Sequence, residues 1–217
     1  MADVASSEPQ VPGTARGAPR SRKGERTRAR LVDAAKSVFE RDGFLDARIV
    51  DIAESASVAP GTFYHYFDSK EEIFREVAAT QEERLTAPPG HPRGPDEPVV
   101  ERIRRSNRVY LERYRDNAAL MGVIEQVSRY DEHVNAARMA TMKHFAERAE
   151  RAIRRMQREG LVDRRLDPSM AADVLGGMVA RFAELWLVQG YRDYDFDEAV
   201  EQLTILWANA LGLEPGA

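Results

Sequence analysis

Thr62, Tyr64, His65 and Tyr66 gather three hydroxyls and an imidazole into five residues, and Lys70 adds an ammonium four residues later. Groups of this kind, set this close, suit hydrogen bonding to base edges and phosphates. The stretch that carries the first four, IVDIAESASVAPGTFYHYF over residues 49–67, reads as two short helices broken by a tight turn. That is the outline of a helix-turn-helix, in which the second helix lies in the major groove. Ile49, Ile52 and Ala53 stand at i, i+3 and i+4, so one side of the first helix is apolar. Val58 falls in the turn and can pin the two helices, and Pro60 suits a first helical turn because its missing N–H has no partner there anyway. Taken alone, Tyr and Phe at helical spacing equally describe two core helices with an aromatic edge.

The elements around this stretch must position it. A helix over about 24–41 carries Leu31, Ala34, Ala35, Val38 and Phe39 as one amphipathic stripe, and Gly43 ends it. Ser69 and Glu72 form a capping-box pair at the head of the helix that Lys70 opens. Residues 1–23, rich in Pro, Gly, Ser, Ala and Arg, are expected to form a disordered basic arm. Residues 86–98, TAPPGHPRGPDEP, hold five prolines and two glycines and mark a linker between residues 24–85 and a second helical unit over 99–213. Helices are predicted there over about 99–116, 118–129 and 132–159. Another opens at Asp167-Pro168 and runs to about Gln189, and a last one starts at Asp195 and Glu198. The whole chain therefore reads as all-α.

Around the helix-turn-helix the sequence resembles the tetracycline-repressor (TetR) family of bacterial regulators. The matching residues are Ala34, Ala35, Phe39, Gly43-Phe44, Asp51-Ile52-Ala53, Val58, Gly61-Thr62-Phe63-Tyr64, Tyr66-Phe67, Lys70 and Phe74, ordered and gap-free over roughly fifty residues. The resemblance implies an N-terminal three-helix DNA-binding domain and a C-terminal helical domain for ligand binding and dimerisation. It implies a DNA-facing set of Arg28, Arg48, Ala59, Pro60, Gly61, Thr62, Tyr64, His65, Tyr66 and Lys70, with Lys70 at a phosphate. It also implies an inducer cavity, for which Met121, Met142, Phe145, Met178, Phe182 and Trp186 are the candidates. By periodicity alone those methionines and aromatics are ordinary core. The sequence departs from the family pattern where Arg48 replaces a capping threonine, Ser57 a turn glycine and Ala59 a serine.

Charge distribution agrees with a nucleic-acid partner. The chain carries −4 overall, yet residues 16–30 hold seven basic residues against the single acid Glu25. The absence of cysteine excludes disulfides and thiolate chemistry. No GxSxG, GxGxxG or HExxH spacing and no nucleophile with a base is present, so neither an enzyme nor a cofactor is expected. His133 and His144 lie eleven apart near one helix, and solvated or packed histidines explain them better than a metal does. No apolar run is long enough to span a bilayer, and a cytoplasmic location is expected.

The apolar helix after Pro168 and the last helix have too little chain left to cover them, so a second copy is expected there, with Phe182, Trp186, Leu203 and Trp207 as contact candidates. The reading is a homodimeric repressor that binds a palindromic DNA operator and is released by an apolar small molecule. Its rival is a DNA-binding structural or partner-recruiting protein with no inducer.

Overall fold

In a computed structural model, which describes residues 21–87 and 97–213, the amphipathic stripe around Leu31 does form one long helix, α1 (Arg22–Asp46). Ser21 caps it by accepting the Gly24 N–H, and Leu31, Ala34, Ala35, Val38 and Phe39 are buried. The helix starts ahead of the expected boundary, so Arg22 and Lys23 are helical. The rest of the expected arm, residues 1–20, lies outside the described residues, as do residues 88–96 of the expected linker. Gly43 does not end α1 outright. It bends the chain at φ 73°, ψ −178°, a conformation open to glycine alone, and a helical turn resumes through Phe44.

The short pair follows as α2 (Ile49–Ser55) and α3 (Pro60–Phe63), with α4 (Lys70–Thr86) after it. Ser69 Oγ accepts the Glu72 N–H as expected, while the Glu72 carboxylate reaches back past Ser69 to accept the Asp68 N–H, one residue ahead of where a capping box would place it. Phe39, Phe44 and Phe74 pack ring to ring, with centroids 4.9–5.9 Å apart.

Beyond the second break come α5 (Val99–Arg115), α6 (Ala118–Val127), α7 (Glu132–Arg158), α8 (Pro168–Ala183) and α9 (Phe196–Leu211). No strand occurs among the described residues. Asp167 and Asp195 cap α8 and α9 by accepting the Met170 and Glu198 N–H groups, as their positions predict. α8 runs on into a π-helical turn, Glu184–Val188, closed by the Gln189 N–H on the Glu184 carbonyl.

The α1–α4 end and the C-terminal end share one core. α1 packs on α6 and α4 on α7, while α9 lies along α5 and α8 along α7. Polar contacts tie the same seams. Lys36 donates to Asn117, and Arg75 pairs at 2.9 Å with Asp131, the residue that caps α7. Gly122 lets α6 approach the π turn, for a Cβ there would stand 2.8 Å from Val188 Cγ1.

Candidate nucleic-acid interface and interior cavity

α3 is anchored from below. Phe63 and Phe67 are fully buried, so the intervening turn lifts Tyr64 and His65 to the surface. Ala59, Pro60 and Gly61 are exposed on the approach, Thr62 is half-buried, and Tyr66 is half-buried against the core. Of the expected DNA-facing set, Ala59, Pro60, Gly61, Tyr64 and His65 thus share one exposed tip with Thr62 at its edge.

The charged members lie elsewhere. Lys70 Nζ donates to the carbonyls of Phe44, Leu45 and Ala47 at 2.7–3.0 Å and sits over the Phe44 ring, so its three donors close the end of α1. Arg28 pairs with Glu76 and covers the Phe67 ring, bracing α1 on α4. Arg48, at the head of α2 without a side-chain cap, makes a two-pronged pair with Asp51. The Arg48 guanidinium holds the Asp51 carboxyl below its usual range. Sequence reasoning missed Arg30, which donates to the carbonyls of Ala56 and Ser57 and so holds the turn between α2 and α3. Ser57 there takes φ 52°, where the resembling family has glycine.

A cavity of about 1290 Å³ opens between the α5–α9 pair and the α7–α8 pair and reaches α4. It is larger than the ~300–1,000 Å³ of ordinary small-molecule sites. Met121, Met142 and Phe145, three of the candidates read from the sequence, line it. Met178, Phe182 and Trp186 do not. Phe182 and Trp186 instead belong to an aromatic cluster with Tyr194 and Phe196, and Met178 fills the core between α8 and its neighbours. Helix α8 is apolar on several sides, so spacing alone could not say which side faced the void.

The inner end of the cavity is polar, which the sequence reading did not foresee. Glu82, Tyr110, Tyr114, Glu125, Arg138, Thr141 and Glu184 all line it. Burial pushes the Glu82 carboxyl above its usual range, against the opposing Thr141 hydroxyl and Arg138 charge. Burial likewise raises both tyrosines. One signal was readable: Glu82 continues the buried row Phe74, Ala78 and Leu85 at helical spacing, a carboxylate where an aliphatic residue belongs.

The residues of the reader match the family "Bacterial regulatory proteins, tetR family" over 31–77. The HTH-type transcriptional regulator UidR of Escherichia coli K12 is 38% identical over 61 residues, which cover 28% of this chain and 31% of UidR. The chain thus spans under a third of the length of the first curated relatives it matches. An uncharacterized HTH-type regulator of Bacillus subtilis, YdgC, is 27% identical over 181 residues, 79% of this chain and 86% of YdgC. Among solved structures, the fatty acid degradation regulator FadR of Bacillus halodurans superposes with a TM-score of 0.67 at 18% identity, over 87% of this chain and 97% of that one. Salmonella enterica GusR gives 0.65 at 20% identity, over 87% and 96%. The structural likeness establishes the all-helical fold. Through α1–α4 the chain is similar to the tetR family of bacterial regulatory proteins over residues 31–77.

Proposed function

We propose that this chain is a transcriptional repressor that binds a palindromic operator as a homodimer and releases it when a small molecule enters the cavity. One observation carries the reading: α4 is a single rod joining reader and cavity. At its head Lys70 and Phe74 hold the end of α1, and at its tail Glu82 and Leu85 line the cavity. A ligand that displaces the tail moves the head, and with it the exposed tip at Tyr64 and His65. Operator and ligand would then stabilise different arrangements, which is the coupling a releasable repressor needs. The rival without an inducer leaves so large a lined void unexplained.

A second copy is supported by what α8 and α9 leave uncovered. Met170 is 68% and Val174 64% exposed on α8, and Ile205 is 39% and Leu206 49% exposed on α9. These take the place of the contact candidates read from the sequence, since Leu203 and Trp186 are buried within the subunit, Phe182 packs against Trp186 and Tyr194, and Trp207 lines the cavity. Two readers brought together by this face match two half-sites.

Selection of duplexes from a random pool by the full chain, followed by anisotropy titration, tests the reading. A palindromic site should emerge. Tyr64→Ala and His65→Ala should each weaken it by ~1–3 kcal/mol at unchanged Tm, the scale of a lost base contact. Failure to enrich any sequence, or full affinity in both variants, overturns it.

A further inference from the structure

Three carboxylates face the inner end of the cavity, and two of them have their own arginine. Glu125 pairs with Arg138, and Glu184 with Arg181 at 2.6 Å. Glu184 also accepts the Gln189 side-chain N–H at 2.9 Å. Glu82 has no such partner. It is only 5% exposed, it lines the cavity, and its Oε1 is buried without a hydrogen bond. Its polar company is the Thr141 hydroxyl, with Arg138 acting only at a distance while engaged with Glu125 and the Ser128 hydroxyl. Of the three carboxylates, Glu82 alone has no arginine of its own, and burial works against its charge.

The walls beside Glu82 suit a cation too. Tyr110 lies 5.8 Å from Tyr114 and 5.6 Å from Phe145, edge to face with the latter, and all three line the cavity. Aromatic faces beside a carboxylate attract ammonium groups more than neutral or anionic ones. Away from this end Ile103, Val99, Ile153 and Met156 give the lining an apolar side, beside charged residues such as Arg102, Glu147 and Arg151. Val99 and Tyr110 stand eleven residues apart on α5, or ~16 Å of helix. That is room for an extended hydrocarbon body.

Resting on the reading of the cavity as an effector site, we propose that it takes an amine-bearing apolar molecule, whose ammonium group binds the Glu82 carboxylate between Tyr110 and Tyr114. The ammonium donates to the orphaned Oε1 and offsets the cost of the buried Glu82 charge, while the alkyl or aryl body lies along α5. Glu82 sits on α4, so the same contact pulls on the rod that ends at the reader.

Calorimetric titration of the full chain with decylamine, 1-decanol and decanoate, each below its micelle concentration, tests this. Decylamine should bind at least tenfold more tightly than 1-decanol, with decanoate weakest, because a charge-assisted bond to a buried carboxylate is worth about that factor. In Glu82→Gln, an isosteric change, decylamine should lose that tenfold while 1-decanol stays within about twofold. The ranking of probes on the unaltered chain is independent of how the variant folds. Equal binding of the three probes, tighter binding of decanoate, or an unchanged decylamine affinity in Glu82→Gln overturns amine recognition and leaves an apolar effector site standing. No binding of any probe overturns both. Decylamine that binds as expected without releasing DNA leaves the recognition intact and overturns the repressor mechanism.

Discussion

The Lys70 ammonium lies 4.8 Å above the Phe44 ring and donates to the Phe44 carbonyl at 2.7 Å, so one lysine grips both the side chain and the backbone of the residue after the Gly43 bend. Bonds to the carbonyls of Leu45 and Ala47 complete its three donors. The first turn of α4 thereby fixes where α2 begins. Sequence spacing suggested a phosphate partner for this lysine, and the two roles separate experimentally. Lys70→Ala should cost ~1–3 kcal/mol of stability through the orphaned carbonyls, and operator affinity should fall with it. The slope of log affinity against log salt should stay unchanged. A slope smaller by about one unit would return Lys70 to a phosphate.

Two backbone positions in the reader make opposite predictions. Ser57 holds φ 52° without glycine's freedom, and Arg30 pins its carbonyl there. Ser57→Gly should therefore raise stability by ~0.5–1 kcal/mol in chemical denaturation, operator affinity being retained. Gly43 sits at φ 73° and ψ −178°, and a Cβ added there would meet nothing within 4 Å, so space is not what selects glycine. Gly43→Ala should cost ~1–3 kcal/mol from backbone strain alone. Equal midpoints for Gly43→Ala and the unaltered chain would contradict this.

Acid should loosen the seam between reader and body. Burial works against the Asp131 charge, yet the Val134 N–H, the Arg75 guanidinium and the His133 N–H outweigh it and hold the carboxyl below its usual range. A depressed native pKa contributes stability above the unfolded value of ~3.9 and loses it as pH falls through the native one. Asp131→Ala should lower Tm at neutral pH through lost cap and ion pair, and the gap from the parent should shrink as pH is taken below ~4. A constant gap down the acid limb would show that the carboxylate charge is not the source.

The approach of α6 to the π turn gives a compensating pair. Gly122→Ala places a methyl 2.8 Å from Val188 Cγ1, closer than side chains tolerate, and should cost ~1–3 kcal/mol. Val188→Ala removes the opposing methyls. The double variant should recover much of the Gly122→Ala loss relative to Val188→Ala alone, a coupling that a double-mutant cycle reads directly. Additive effects would mean that the neighbouring helices absorb the methyl elsewhere.

How far the sequence carried this picture depended on whether local rules decide a feature. Apolar spacing places α1 because Leu31, Ala35, Val38 and Phe39 face one side and nothing competes for them. Caps at Ser69, Asp167 and Asp195 are equally local, each being a side chain three residues from the N–H it accepts. The cavity is not local. Met142 and Phe145 on α7 line it while Phe182 on α8 and Trp186 in the π turn do not, although all four read alike as apolar residues on helices. That choice is made by how α5, α7 and α8 are splayed. Lys70 and Arg28 follow the same logic: a cation near a reader helix reads as a phosphate contact until the carbonyls of Phe44 and the carboxylate of Glu76 are placed beside it.

The proposed dimer face gives the broadest test, because the proposed recognition of two half-sites depends on it. Met170 and Val174 stand one turn apart on α8, and both are more exposed than large apolar side chains on a helix otherwise packed against α7 should be. Ile205 and Leu206 extend apolar exposure to α9. Val174→Glu should leave the subunit folded, since the residue touches little within it. The charge would be desolvated without a partner if a second copy covers it, so the dimer should weaken by several kcal/mol. Light scattering should then show a monomer at micromolar concentration, and operator affinity should fall by orders of magnitude, because one reader bears the whole orientational cost. Glu82→Gln serves as a control that alters the cavity and leaves this face alone. A Val174→Glu protein that remains dimeric and binds DNA normally places the two-fold contact elsewhere. An unaltered chain that is monomeric and still binds a palindrome tightly removes the two-fold mechanism altogether.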